Sequence, residues 1–320
     1  MGALDECRPA VTLRELGTLT RERCKKIPAI LVAAALLRVP SVVQAQSFAD
    51  VSATSGLDTP YATGAGSMAS GAAAADFDDD GWVDVFLPTA QGTPNRLYRN
   101  RGDGTFQETA ALVGLDETTG GRAALWFDYD GDGDLDLLVA GDCTQTLCSS
   151  GESAIRLYQQ GPDGHFAETS VAAGLFEDVA ALDRASHRAG LAAGDLTNNG
   201  YLDLYAGMWG PDDGRLLLNQ GDGSFVQLES GNALELPSDN DWQPVMHDFN
   251  GDGWMDLFVA VDFTPNRLWL NQQNGTFIDV AVESGVGNAF NEMGVALGDY
   301  DGDGDFDIYI TNIFGTVKHN

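Results

Sequence analysis

Positive charge is what this sequence has least of. Across 320 residues, 17 Lys and Arg stand against 48 Asp and Glu, a formal net charge of −31. That balance excludes nucleic acid and anionic membrane surfaces as partners and leaves a cation as the physical complement. Cysteine and histidine are scarce, with four of each. Cys143 and Cys148 bracket the stretch GDCTQTLCSSG with no His beside them, too few ligands for a zinc site. No G-x-S-x-G, H-E-x-x-H or nucleotide-binding loop occurs, which removes the hydrolase and nucleotide-binding classes those motifs mark. Long apolar runs are missing as well. Ile27–Leu37 has eleven residues, whereas a spanning helix takes about 20. At 43% hydrophobic residues the chain is nevertheless ordinary for a globular protein.

The apolar run has another reading. It follows Lys25 and Lys26 and precedes Val43-Gln44-Ala45, a small-residue cleavage site. This is the pattern of a secretory signal peptide over residues 1–45, with an unusually long charged region before it. A secreted chain is therefore expected, extracellular or periplasmic, soluble once the leader is removed. In an oxidising compartment Cys143 and Cys148 are expected to form a disulfide across their short loop.

What the sequence has in abundance is aspartate, and it comes in blocks. DYDGDGDLD begins at Asp128, and related blocks begin at Asp76 (DFDDDGWVD), Asp195 (DLTNNGYLD), Asp248 (DFNGDGWMD) and Asp299 (DYDGDGDFD). All fit D-x-[DNT]-x-[DN]-G-x-x-D, and their starts lie 52, 67, 53 and 51 residues apart. Near-constant spacing makes this a repeat protein. Each block runs into an apolar segment such as LLVAG, so a disordered acidic tail is excluded. A cation explains carboxylates on alternate positions around a glycine turn, since calcium takes six to eight oxygen ligands. An EF-hand does not fit, because the twelfth position after Asp128 is Val139 rather than Glu.

Between the blocks, each unit shows four short strand signals separated by Gly, Asp and Asn turns. In the first unit these are the small-residue run GAAAADFD, then WVDVFLP, NRLYRN and TFQET. Four antiparallel strands every fifty residues predict an all-β fold, a β-propeller of four-stranded blades. The segment SFADVSATSGL (47–57) matches the last strand of a unit, and the last unit stops short of that strand. The chain is therefore expected to be either a closed five-blade propeller over residues 46–320 or part of a seven-blade one.

Gly-Asp followed by D-x-D-G-D-x-D, an L-Y-x-N strand and a G-D-G-x-F strand resembles the FG-GAP/VCBS repeat family, found in integrin alpha-subunit propellers and many secreted bacterial proteins. The resemblance covers about residues 47–320. It implies that each aspartate loop joins the first two strands of a blade and holds structural calcium, about five ions in all. Position by position, the ligands it implies are Asp76, Asp78, Asp80 and Asp84; Asp128, Asp130, Asp132 and Asp136; Asp195, Thr197, Asn199 and Asp203; Asp248, Asn250, Asp252 and Asp256; and Asp299, Asp301, Asp303 and Asp307. Two loops depart from the all-carboxylate pattern, at Thr197 and Asn199 and at Asn250. On charge count the Asp195 loop should bind most weakly.

Propellers host both binding and catalysis. A binding or adhesion module for a protein or glycan, acting as a monomer, is the expected role. A secreted polysaccharide hydrolase or lyase is the alternative. Fold analogy places the ligand at the mouth of the central channel, built from residues expected just before each inner strand, among them Arg122, His187, Arg188, Trp242, Asn291 and Glu292. Solvated blade edges are the competing reading of each of these residues.

Overall fold

A computed structural model describes residues 48–57, 71–141, 153–175, 187–210, 213–228 and 240–312. Contacts divide the chain into Met1–Asp50 and Val51–Asn320, and every element below belongs to the second unit. The leader and both cysteines of the expected disulfide lie outside the described residues. No helix among those residues is long and apolar enough to cross a membrane.

The fold is all-β, built from four-stranded antiparallel meanders. The first sheet is β1 (Ala73–Ala75), β2 (Asp84–Leu87), β3 (Arg96–Asn100) and β4 (Phe106–Glu108). The second is β5 (Ala123–Phe127), β6 (Asp136–Ala140), β7 (Ile155–Gln160) and β8 (Phe166–Glu168). The third is β9 (His187–Gly194), β10 (Asp203–Trp209), β11 (Arg215–Asn219) and β12 (Phe225–Gln227). The fourth meander comprises β13 (Asn240–His247), β14 (Asp256–Pro265), β15 (Arg267–Asn271) and β16 (Phe277–Asp279), and a hairpin of β17 (Ala289–Gly298) and β18 (Asp307–Asn312) follows. In every unit the aspartate loop joins the first strand to the second.

The sheets stack face to face in chain order, and the period of two along each second strand explains how. In β6, Leu137 and Val139 enter a core with Phe77, Phe86, Leu97 and Phe166 of the first two sheets. Leu138 and Ala140 point the other way, into a core with Leu191, Leu204, Leu217 and Phe225. β14 repeats this, with Leu257, Val259 and Val261 packed towards Tyr205 and Leu216, and Phe258 and Ala260 towards Val295, Ile308 and Ile310. The inner second strands β6, β10 and β14 are thus buried on both faces and carry continuous apolar runs. Each large side chain so buried contributes about 1.5–3 kcal/mol.

First strands pack in series, β1 on β5, β5 on β9, β9 on β13 and β13 on β17. Their small residues are a steric requirement. A Cβ at Gly190 would lie 2.4 Å from both Pro244 Cδ and the Trp242 carbonyl oxygen.

Two expectations change. Residues 48–57 contain no strand; they hold the helical turn α1 (Ser52–Ser55), matched in the next unit by α2 (Ala110–Val113). Both turns end on a left-handed glycine, Gly56 and Gly114, whose Cβ positions would lie 2.9 Å from the Phe106 and Phe166 carbonyl oxygens. The glycine lets the chain close the turn against the outer strand of the following sheet. The fourth and fifth units are also not separate sheets. β14 and β17 each run to ten residues, and Asp262 pairs with Asn291 and Pro265 with Ala289, so one six-stranded sheet results.

Candidate metal centres

Each loop is organised by its first aspartate. Asp76 accepts hydrogen bonds from the Asp80 and Gly81 amides at 3.0 and 2.7 Å. Asp128 accepts from Gly131 and Gly133, Asp195 from Asn199 and Gly200, Asp248 from Gly251 and Gly253, and Asp299 from Gly302 and Gly304. The fifth residue then accepts from the amide two places on, as Asp80 does from Trp82 and Asp132 from Asp134. This wrapping needs left-handed backbone twice. The glycine at position 6 has φ between 87° and 100° at Gly81, Gly133, Gly200, Gly253 and Gly304. Position 4 is left-handed too, at Asp79, Gly131, Asn198, Gly251 and Gly302. Glycine, Asn and Asp tolerate that region best, so the restriction was present in the sequence.

The ninth residue has a different task. Asp84, Asp136, Asp203 and Asp256 are fully buried at the start of the second strand. One oxygen of each accepts the amide of the loop's second residue: Phe77, Tyr129, Leu196 and Phe249, at 2.9–3.2 Å. The other accepts an amide at the end of the third strand, from Asn100, Gln160, Asn219 and Asn271, at 2.7–2.8 Å. The carboxylate therefore ties the loop to the second and third strands. Burial pushes Asp136 up to about 7 and Asp203 up to about 6, and raises Asp84 and Asp256. Backbone hydrogen bonds oppose this only in part. In the fifth loop Asp307 is exposed and accepts from Tyr300.

Three loops bring three carboxylates together with ligand atoms within 4.8 Å: Asp76, Asp78 and Asp84; Asp128, Asp130 and Asp136; Asp299, Asp301 and Asp303. These are the loops with four aspartates at positions 1, 3, 5 and 9. Among the described residues, no such trio forms in the loops at Asp195 and Asp248. The donors are all hard oxygens, which suits calcium or magnesium rather than zinc or copper. Asp78 Oδ1 is buried with no hydrogen-bond donor among the described residues, so the first loop fits a cation.

The third strand also reaches into the loops, which the sequence reading did not anticipate. Arg99 Nε and Nη2 bind Asp78 and Asp80. At the equivalent position of the second unit, Gln159 Nε2 donates to Asp130 Oδ2 at 2.6 Å. Asn219 and Asn271, ending third strands, donate across to the preceding unit at the carbonyls of Tyr129 and Leu196, each at 2.8 Å. The Asn ending the third strand links sheets at Asn219 and Asn271, and the recurrence of Asn at 100, 219 and 271 was the available signal.

At the opposite end of the first strands lies a cleft of about 290 Å³, lined by Gly71, Ala72, Arg122, Ala123, Ala124, Ala189, Gly190, Leu191, Trp242 and Gln243. It brings together two of the channel-mouth residues. The buried Arg122 places its guanidinium carbon 5.9 Å from the centre of the half-buried Trp242 ring, within cation–π range. The others are placed differently. Arg188 is buried and donates to the Ala206 and Asp213 carbonyls at 3.0 and 3.1 Å. Glu292 is buried, and burial raises its pKa. Asn291 pairs with Asp262 where β17 joins β14. The His187 side chain lies outside the described residues.

The loop geometry agrees with comparison to known proteins. The model of the FG-GAP-like repeat matches residues 76–139, 195–259 and 248–310. The chain belongs to the FG-GAP-like repeat family. Cartilage acidic protein 1 of Mus musculus is 27% identical over 186 residues, which is 55% of this chain but 26% of that protein; the chain thus matches about a quarter of the relative's length. Among solved structures, an Agrocybe aegerita lectin described as recognising non-reducing terminal N-acetylglucosamine aligns with a TM-score of 0.44 and 23% identity, over 74% of this FG-GAP-like chain and 59% of the lectin. The V. cholerae biofilm matrix protein Bap1 aligns with a TM-score of 0.41 and 17% identity, over 76% and 34% of the two chains.

Proposed function

We propose that this chain is an exported binding module in which calcium in the aspartate loops stabilises the blades and the cleft at the far end of the first strands takes a protein or glycan ligand. The observation that carries the reading is the Arg122–Trp242 pair in that cleft. A guanidinium over an indole, in an otherwise acidic protein, offers a cationic donor beside a flat apolar face. That pairing suits a carboxylate-bearing or hydroxyl-rich group. Calcium is the cation of choice because the loops are oxygen-only and rich in carboxylates. In the same reading residues 1–45 are a cleaved leader, Cys143 and Cys148 are bridged, and the product is a secreted monomer.

A polysaccharide hydrolase would need a pair of carboxylates flanking the scissile bond. Among the described residues, the cleft lining includes none, and the Arg122–Trp242 pair favours binding. The test is a glycan and peptide array probed in calcium with the native protein and with Arg122→Ala and Trp242→Ala. Acidic or hydroxyl-rich ligands retained by the native protein and lost by both variants are expected. Ligands retained equally by all three would place binding elsewhere.

A further inference from the structure

The first two loops offer the same four carboxylates, yet the third strand presents different chemistry to each. Arg99 precedes Asn100, whose amide binds Asp84. Gln159 precedes Gln160, whose amide binds Asp136. Arg99 and Gln159 thus hold the same register. Gln159 donates one neutral hydrogen bond to Asp130. Arg99 brings a full positive charge and spans Asp78 and Asp80 with two nitrogens. A metal ion in the first loop needs those same carboxylates. The Arg99 side chain is 42% exposed, so it has solvent to swing into when displaced. The third and fourth units carry Leu218 and Leu270 at this position, and their loops receive no cation from it.

We propose that Arg99 is a resident counter-cation of the first loop: it holds Asp78 and Asp80 when no metal is bound, and it must be displaced before calcium enters. The inference rests on the calcium reading of the loops. It separates two sites that charge count alone makes equal. The second loop fills first, while the first stays ordered without metal and fills only at higher calcium.

The Gly81 and Gly133 amides, bonded to Asp76 and Asp128, report each loop in a calcium titration followed by NMR. In the native protein, Gly133 should shift at lower calcium than Gly81. Arg99→Gln, which copies the second loop, should lower the Gly81 midpoint about tenfold, as loss of two partly exposed ion pairs implies, and leave Gly133 within about twofold. Arg99→Lys, which keeps the charge without the fork, should fall between. A Gly81 midpoint unmoved in Arg99→Gln while Gly133 titrates normally would overturn the inference and leave the calcium reading intact. No response at either amide would overturn both. A second readout is the melting temperature. Arg99→Gln should melt below the native protein in chelator, and the gap should narrow in calcium. An equal deficit in both conditions would make Arg99 an ordinary packing residue and refute the proposal.

Discussion

The two ends of the first strands carry opposite chemistry. β5 begins beside Arg122 and ends beside Asp128, and β13 carries Trp242 near its start and ends beside Asp248. At one end every unit presents a carboxylate-rich loop; at the other, the cleft has an arginine, a tryptophan and, among the described residues, no acidic lining residue. A six-residue extended segment spans about 20 Å, beyond the Debye length of about 8 Å at physiological salt. The two ends can therefore be tuned separately. The loops repeat because every blade needs its hairpin closed. The cleft does not repeat, since the position six residues before each loop is Arg122 in one unit and Trp242 in another but Ser70, Ala189 and Met293 elsewhere. Repetition marks stability, and its failure marks the place to look for a ligand.

The largest effect expected from breaking this arrangement is at position 9 of a loop. Asp203 accepts amides from Leu196, Thr197 and Asn219, in the loop with the fewest carboxylates. Asp203→Leu should cost about 3 kcal/mol in urea unfolding, since buried amides left without acceptors cost about 1–3 kcal/mol each. The loss should be much the same in calcium and in chelator. A loss seen only in calcium would make Asp203 a ligand rather than a brace.

A smaller effect should sharpen the contrast between the ends. Arg122→Ala and Trp242→Ala should weaken ligand binding about tenfold, the scale of one desolvated cation–π contact. Neither should alter the rise in melting temperature that calcium produces. A variant that changed both readouts would show the ends to be coupled.

The third effect is a pH dependence confined to the loop end. Burial holds Asp136 at about 7 and Asp203 at about 6, above the ordinary aspartate value of about 3.9. For a carboxyl raised on folding, the native state binds the proton more tightly. Its stabilising contribution is complete below about pH 4 and is lost as pH rises through 6–7. In chelator, stability should decline across that window, and Asp136→Asn should flatten the decline. A stability that climbs between pH 4 and 7, unchanged by Asp136→Asn, would contradict the assignment.

Much of this was legible in the sequence. Five acidic blocks at near-constant spacing gave the repeat, and the small residues before the Asp76 and Asp195 blocks gave the crowded first strands that Gly190 now explains. The bracing role of position 9 was not legible, because a ligand and a buried brace are written with the same letter; the amides that Asp84 and its equivalents accept reveal the brace. Arg99 was hidden for a related reason. It lies 19 residues from Asp80, and strand register alone brings them together. The fusion of the fourth and fifth units depends on how far β14 and β17 extend past the turn, which residue patterns leave open by a few positions.

The central claim is that the acidic loops are held by calcium. Its most direct test is calorimetric melting of the purified chain in excess chelator and in millimolar calcium, with metal content measured in both. The melting temperature should rise with calcium concentration, because an ion bound only by the folded state adds about 2.7 kcal/mol per site at a hundredfold excess over its dissociation constant. A chain shown to be metal-free that melts at the same temperature in both solutions would contradict the account.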